Sequence, residues 1–216
     1  MPDDGWVTDA RDSYDRVAFP YAELTRGALD RLPFERSALA LFAQRVLDAG
    51  GGPVVDAGCG PGWLTGHLAR QGLDITGVDV STGFLDIARA NQPELTFSAG
   101  SITRLPFGDE ALAGLVCWFV LHHVPDRDLP DVLAEFHRVL APGGQLLVGG
   151  HTGEGSYLKT EGYGGIPMKV LFTRRTNASL GGLLRDAGFA VDALIALDPD
   201  APSSSGIVFA RRPAGP

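Results

Sequence analysis

One stretch, residues 53–68 with the sequence PVVDAGCGPGWLTGHL, limits what this chain can fold into more than any other. A short apolar run ends in an acid, breaks into glycines and resumes with helical spacing. Val54 and Val55 are β-branched and suit a strand, and the run is interrupted too soon for a helix. Asp56 then stands at the strand's C-terminal edge. Gly58, Gly60 and Gly62 allow backbone angles closed to other residues and leave main-chain N–H groups open to a ligand, while Leu64 and Leu68 resume on one helical face. Strand, turn and helix in this order place a binding site outside the carboxyl end of the strand, as in open α/β sheets.

The rest of the chain repeats that alternation. Residues 1–12 are polar, with Pro, Gly and four Asp, which predicts a poorly ordered lead-in. Residues 13–48 carry apolar side chains at helical spacing, with Leu39, Phe42 and Val46 on one face of a helix from Phe34. Residues 73–79 (LDITGVD) read as a second strand ending in an acid, followed by a helix from about Ser81, which completes a βαβ unit. Residues 95–99 and 112–118 give two further strands, the second apolar enough to be buried on both faces. Residues 128–140 place Val132, Leu133, Phe136, Val139 and Leu140 on one face and stop at Pro142, Gly143 and Gly144, so they form a helix before a fifth strand at 145–149. Residues 151–176 form a glycine-rich loop of no clear period, a candidate for substrate contact. Asn177 can cap a last helix ended by Gly188. Residues 189–197 and 206–211 are strands joined by a Pro, Asp and Ser-rich connection too short for a crossover helix, so they pair antiparallel.

A length of 216 residues suits one α/β domain, and 44% hydrophobic with 20% charged residues is a globular composition. The formal charge of −8 gives no basic footprint for nucleic acid or an anionic membrane. No apolar run approaches a membrane span and the first 20 residues contain no hydrophobic signal core, which leads us to expect a cytoplasmic protein. Two cysteines, Cys59 and Cys117, make no disulfide framework and no zinc motif.

A glycine-rich turn after a strand has two main readings. The dinucleotide fingerprint GxGxxG needs a third glycine for close helix-to-strand packing, and counting from Gly58 and Gly60 that place is held by Trp63. An NAD(P)-dependent oxidoreductase therefore loses weight. VVDAGCGPG resembles the first motif of the class I S-adenosylmethionine-dependent methyltransferases, and GVDVS, AGSITRLPF, LVCWFVLHHVPD and RVLAPGGQLLV resemble the four that follow. The likeness covers about residues 14–213 and is nearest to small bacterial members, in which YDRVAFPYAEL resembles the helical lid.

The resemblance implies a Rossmann-like α/β fold: a seven-stranded, mostly parallel sheet of order 3-2-1-4-5-7-6 with the last strand antiparallel, helices on both faces and an N-terminal helical lid. It implies one domain, with the lid at 13–48, the cofactor core at 53–150, the substrate-side loop at 151–176 and a C-terminal helix and hairpin at 177–213. The cofactor is S-adenosylmethionine, released as S-adenosylhomocysteine. Gly58, Cys59 and Gly60 would meet its methionyl part, and Asp56 would compensate its ammonium. Asp79, with Val80, would hold the ribose diol. Gly100, Ser101 and Ile102 would flank the adenine, with serine where the family often has an acid. A main-chain carbonyl near Cys117 would meet the ammonium, Phe119 would stand either at the cofactor or as a core aromatic, and Tyr14 and Tyr21, seven residues apart, would lie over the cofactor with the Tyr14 hydroxyl on its carboxylate.

Methyl transfer from a sulfonium is an in-line displacement, so alignment dominates and a base helps only an acceptor that keeps its proton. His123 and His151 are the candidate catalytic residues on the substrate side. Two adjacent histidines with no carboxylate cluster give no metal site. Tyr157, Tyr163, Ile166, Met168 and Phe172 point to a small, apolar or aromatic acceptor. A cofactor-binding protein without catalysis is the alternative on the same fold.

Overall fold

The computed structural model describes residues 5–198 and 204–215. The elements run α1 (Gly5–Thr25), a 3-10 turn (Ala28–Arg31), α2 (Pro33–Asp48), β1 (Pro53–Ala57), α3 (Trp63–Ala69), β2 (Asp74–Asp79), α4 (Thr82–Asn91), β3 (Thr96–Ala99) and β4 (Leu112–Trp118). There follow a second 3-10 turn (Leu121–His123), α5 (Leu129–Val139), β5 (Leu140–His151), β6 (Ser156–Gly162), β7 (Ile166–Thr173), α6 (Asn177–Asp186), β8 (Ala190–Leu197) and β9 (Ser205–Arg211).

The main sheet has seven strands in the order β3-β2-β1-β4-β5-β9-β8. β1 to β5 pair parallel, and β9 pairs antiparallel with both β5 and β8. This is the order implied by the sequence, with β8 and β9 in the places of its sixth and seventh strands. Alternation along the central strands explains the layers. Val54 and Val116 face the cluster built on Leu39 and Phe42 of α2 and Leu68 of α3, whereas Val55 and Leu115 face the cluster built on Leu133 and Phe136 of α5. Both faces are covered, which is why these strands are apolar throughout.

Three expectations are corrected. The lead-in is helical from Gly5, because tertiary contacts fix what composition alone would leave loose: Asp9 pairs with Lys169 at 2.8 Å, and the Ser13 hydroxyl accepts the Lys169 N–H at 2.8 Å. Residues 1–4 of that stretch lie outside the described residues, as does most of the connection between β8 and β9. The glycine-rich loop at 151–176 is instead a hairpin of β6 and β7, turning through Tyr163, Gly164 and Gly165, all at positive φ. Met168, Val170 and Phe172 alternate inward from β7 and pack on Val17 and Tyr14 of α1, so lid and hairpin share a small core of their own. Finally, Thr176 rather than Asn177 caps α6, its hydroxyl accepting the Ser179 N–H at 3.1 Å. Among the described residues no helix is long and apolar enough to cross a membrane.

Candidate functional site

The register of the parallel strands sets the site. Asp56 pairs opposite Gly77 near the tip of β1, Asp79 opposite Ala99 at the tip of β2, and Trp118 opposite Gly149 at the tip of β4. The chain leaves β1 through Gly58, whose φ is +85° and where an added Cβ would stand 2.3 Å from Val120 Cγ2. Only glycine fits there. At Gly60, φ is +53° and the space beyond is open, so the main chain itself forms the floor of a cavity.

That cavity, about 100 Å³, is roofed by Trp6, Val7 and Ala10 of α1. Of the residues picked out in the sequence, Tyr14, Tyr21, Gly58, Gly60, Asp79 and Val80 line it, and Gly100, Ser101, Ile102, Phe119 and His123 complete the wall. Asp56 and Cys59 line an adjoining cavity of about 270 Å³, which shares Tyr21, Gly58, Gly60 and Phe119 with the first. Cys117 lines neither: it is fully buried within β4, and Trp118 and Phe119 beyond it border both cavities. Phe119 takes φ +57°, a sparsely populated backbone state for a non-glycine residue, pinned by its N–H on the Gly149 carbonyl at 2.7 Å. Phe84, which the sequence reading passed over, forms the aromatic wall behind Tyr14 and Tyr21, with ring centroids 5.6 and 5.0 Å away. Asp15 was also missed. It accepts from the Ser81 hydroxyl at 2.6 Å and the Gly83 N–H at 3.0 Å, tying α1 to the first turn of α4. Its place beside Tyr14 in the lid motif was the available signal.

The two acids are buried and differently satisfied. Asp79 accepts the Gly60 N–H on Oδ2 and the Ser81 N–H on Oδ1, both at 2.8 Å. Burial pushes its pKa up to about 6 against these main-chain bonds. Asp56 accepts the Thr65 hydroxyl on Oδ2 at 2.7 Å, while its buried Oδ1 has no partner. Burial raises its pKa to about 7, with the Thr65 bond opposing and Asp79 adding to the rise. A buried carboxylate oxygen left unpaired is costly, and a hydrogen-bond donor that met it would relieve that cost.

These features fit S-adenosylmethionine. An ionised Asp79 keeps a lone pair on each oxygen for a vicinal diol, and Asp56 Oδ1 suits an ammonium. No Lys or Arg lines either cavity, an arrangement suited to a cationic ligand and unsuited to a pyrophosphate. Ser101 Oγ lies 2.8 Å from Thr103 Oγ1 and accepts the Thr103 N–H at 3.2 Å, so the serine in place of an acid is already oriented.

On the other side of the pocket, His123 is buried. Its Nδ1 lies 3.1 Å from the Leu171 carbonyl, which can only accept, so Nδ1 carries the proton and Nε2 accepts the Tyr14 hydroxyl at 2.9 Å. Burial lowers its pKa to about 4, and burial also raises that of Tyr14, so both are neutral near pH 7. His122 lies between His123 and His151, its ring tilted against the first at 4.1 Å and edge-on to the second at 4.9 Å, and its buried Nδ1 is unpaired. His151 is set apart from His123 and lines a third, small cavity with His122 and Arg175. Burial, then Arg174 and Lys159, lower its pKa, and among the described residues it has no hydrogen-bond partner. The described residues contain no cluster of three metal-ligating side chains.

Comparison with known proteins adds findings of three kinds. A family model described as a methyltransferase domain matches residues 54–144. The uncharacterized methyltransferase sll0829 of Synechocystis is 30% identical over 179 residues, 79% of this chain and 82% of that protein. The malonyl-[acyl-carrier protein] O-methyltransferase of Erwinia billingiae is 36% identical over 135 residues, 62% of this chain and 50% of that protein. The demethylmenaquinone methyltransferase of Beutenbergia cavernae is 36% identical over 146 residues, 65% of this chain and 57% of that protein. The chain thus spans about half the length of these last two relatives. Among solved structures, the DhpI complex with S-adenosylhomocysteine matches with TM-score 0.72 at 21% identity, covering 97% of this chain and 98% of that one. The [4+2]-cyclase SpnF matches with TM-score 0.74 at 20% identity, covering 95% and 96%.

Proposed function

The chain belongs to the class I S-adenosylmethionine-dependent methyltransferases, and from that premise we propose that it methylates a small molecule with an apolar or aromatic body. The cofactor half of this reading is carried by two buried acids at adjacent strand tips beside a cavity wall free of Lys and Arg, and the acceptor half by the aromatic side chains of the hairpin, Tyr157, Tyr163 and Phe172. When bound, the cofactor supplies a methyl group already activated on a sulfonium, so no covalent nucleophile is needed. The chain's contribution is alignment. Asp79 holds the ribose hydroxyls, Asp56 the ammonium, and Ser101 with the Ile102 N–H the adenine edge. Helix α1, clasped through Asp15 and Ser13, covers the pocket from water.

The acceptor enters beneath the hairpin, against Phe119, Phe172 and the three histidines. With its lone pair on the Tyr14 hydroxyl, His123 positions Tyr14 at the cofactor wall and does not itself abstract a proton. His151, neutral and unbonded, is the residue placed to take a proton from an acceptor that retains one. The relatives named for malonyl-carrier and demethylmenaquinone methylation support acceptors other than nucleic acid or protein side chains. Because this fold also serves a cyclase, turnover rather than architecture decides the matter. Purified protein incubated with methyl-labelled S-adenosylmethionine and a small-metabolite extract should transfer label to an organic product. Tight S-adenosylhomocysteine binding with no transfer to any fraction would replace this reading with that of a cofactor-binding protein.

A further inference from the structure

The hairpin carries two cations whose positions the cofactor site does not explain. Tyr157 and Phe172, cross-strand partners in β6 and β7, stack at 5.1 Å and 17°, and Phe172 stacks in turn on His122 at 4.7 Å and 30°. The guanidinium of Arg174 lies 5.6 Å from the Tyr157 ring, and the ammonium of Lys159 lies 4.6 Å from the Tyr163 ring and 5.8 Å from the Phe172 ring. Neither cation pairs with a carboxylate among the described residues, and Arg174 Nε is buried with no hydrogen-bond partner. Elsewhere in this acidic chain the comparable cations are matched: Arg45 with Asp192, Arg138 with Glu135, Arg175 with Asp126, Arg212 with Glu110. A guanidinium nitrogen shut off from water and left unbonded is costly, and an anion relieves that cost.

The stack adjoins the reaction centre. His123, in the wall of the cofactor cavity, meets the Phe172 ring at 4.8 Å, and Phe119 of the same wall meets His151 at 4.9 Å. The outer ring of the stack, Tyr157, is 46% exposed, with the Arg174 guanidinium over it. Lys159 and Arg174 both depress the basicity of His151, which places them within electrostatic reach of the proton acceptor.

We propose that the acceptor is a small aromatic anion, its carboxylate or phosphate neutralising Arg174 and Lys159 and its ring lying along the Tyr157, Phe172 and His122 stack. This rests on the methyltransferase reading above and sharpens its acceptor. Cationic side chains flanking an aromatic platform select both the charge and the planarity of a ligand.

The test titrates benzoate, phenyl phosphate and benzamide into protein saturated with S-adenosylhomocysteine, for the native chain, Lys159→Gln, Arg174→Gln and the double variant. One of the two anions should bind roughly tenfold or more tightly than neutral benzamide, and which one does so separates a carboxylate from a phosphate acceptor. The double variant should erase that preference while leaving S-adenosylhomocysteine affinity unchanged, and each single variant should reduce it. Benzamide binding as well as both anions, or a preference that survives the double variant, would overturn the proposal and leave the cations as caps on aromatic rings. Label transfer to an extract split by anion exchange is read in parallel. Label recovered from the retained fraction supports the anionic acceptor, and label recovered from the unretained fraction alone overturns it. No label in either fraction removes the enzyme reading, and the anion site is then decided by the binding arm.

Discussion

At the tips of β1 and β2 the polar groups are two buried carboxylates, braced by neighbouring main chain and by Thr65, whereas over β5 and β7 they are histidines, aromatic rings and two cations held by packing. The first region is built within one βαβ unit, where a glycine turn dictates the geometry over a few residues. The second is assembled from segments far apart in the chain, with Tyr14 reaching His123 and Phe172 reaching His122. The contrast teaches that the half of the pocket built on the glycine turn is local in sequence, while the half proposed to meet the acceptor is assembled from distant segments.

The largest effect should come from damage to the local half. Gly58→Ala places a Cβ on Val120 at a positive φ, and left-handed strain plus overpacking should cost about 2 to 4 kcal/mol of stability, measured by denaturant unfolding. A loss below about 1 kcal/mol would show that the turn is looser than described. Next, Asp79→Ala removes the proposed acceptor for the ribose diol and should weaken S-adenosylhomocysteine by about 1.5 to 3 kcal/mol, on the scale of hydrogen bonds to a charged group, read by calorimetric titration. An unchanged affinity would place the ribose elsewhere.

The extent to which these two halves were legible in the sequence follows from the same difference. Val54, Asp56, Gly58 and Asp79 announce themselves because β-branched strand residues, an edge acid and glycines sit at fixed offsets, and the whole strand order follows from that resemblance. The β6 and β7 hairpin reads as a loop in the sequence. Its inward residues Met168, Val170 and Phe172 do alternate, but Pro167, Lys169 and six glycines across 150–176 mask the period, and the pairing is stabilised by α1, more than 140 residues away in sequence. The helical start at Gly5 was hidden for a related reason, since Lys169 of that hairpin binds both Asp9 and Ser13. His123 reads in the sequence as a candidate catalytic residue, and in the structure it lines the cavity with both ring nitrogens engaged. Its bond to Tyr14, which decides its role, depends on a contact that no local pattern encodes.

The pH response separates the halves further. Asp56 and Asp79 carry pKa values raised to about 7 and about 6, so in the ligand-free protein they hold protons that the unfolded chain has already released. Stability of the ligand-free protein should therefore fall as pH rises from about 4 through 7 and then level off. A ligand that brings an ammonium to Asp56 and a diol to Asp79 prefers the ionised acids, so S-adenosylhomocysteine affinity should rise over the same range, by up to roughly tenfold per pH unit for each group titrated, with proton release seen by calorimetry in buffers of different ionisation enthalpy. In Asp56→Asn the part of the rise nearest pH 7 should disappear, and its persistence would assign the proton to another group. The smallest expected effect lies where the halves meet. Tyr14→Phe deletes one hydrogen bond to His123 and should cost about 1 kcal/mol, seen in thermal unfolding and in faster cofactor exchange. No change in either would detach the lid from the histidine.

The central claim is that the cavity at the tips of β1 and β2 is made for an S-adenosyl amino acid, and the most direct measurement is a side-by-side calorimetric titration of the purified protein with S-adenosylhomocysteine and with NADPH. One-to-one binding of S-adenosylhomocysteine, with no heat from NADPH at the same concentrations, is the result expected from two buried acids and walls without Lys or Arg. Binding of NADPH in preference would contradict it.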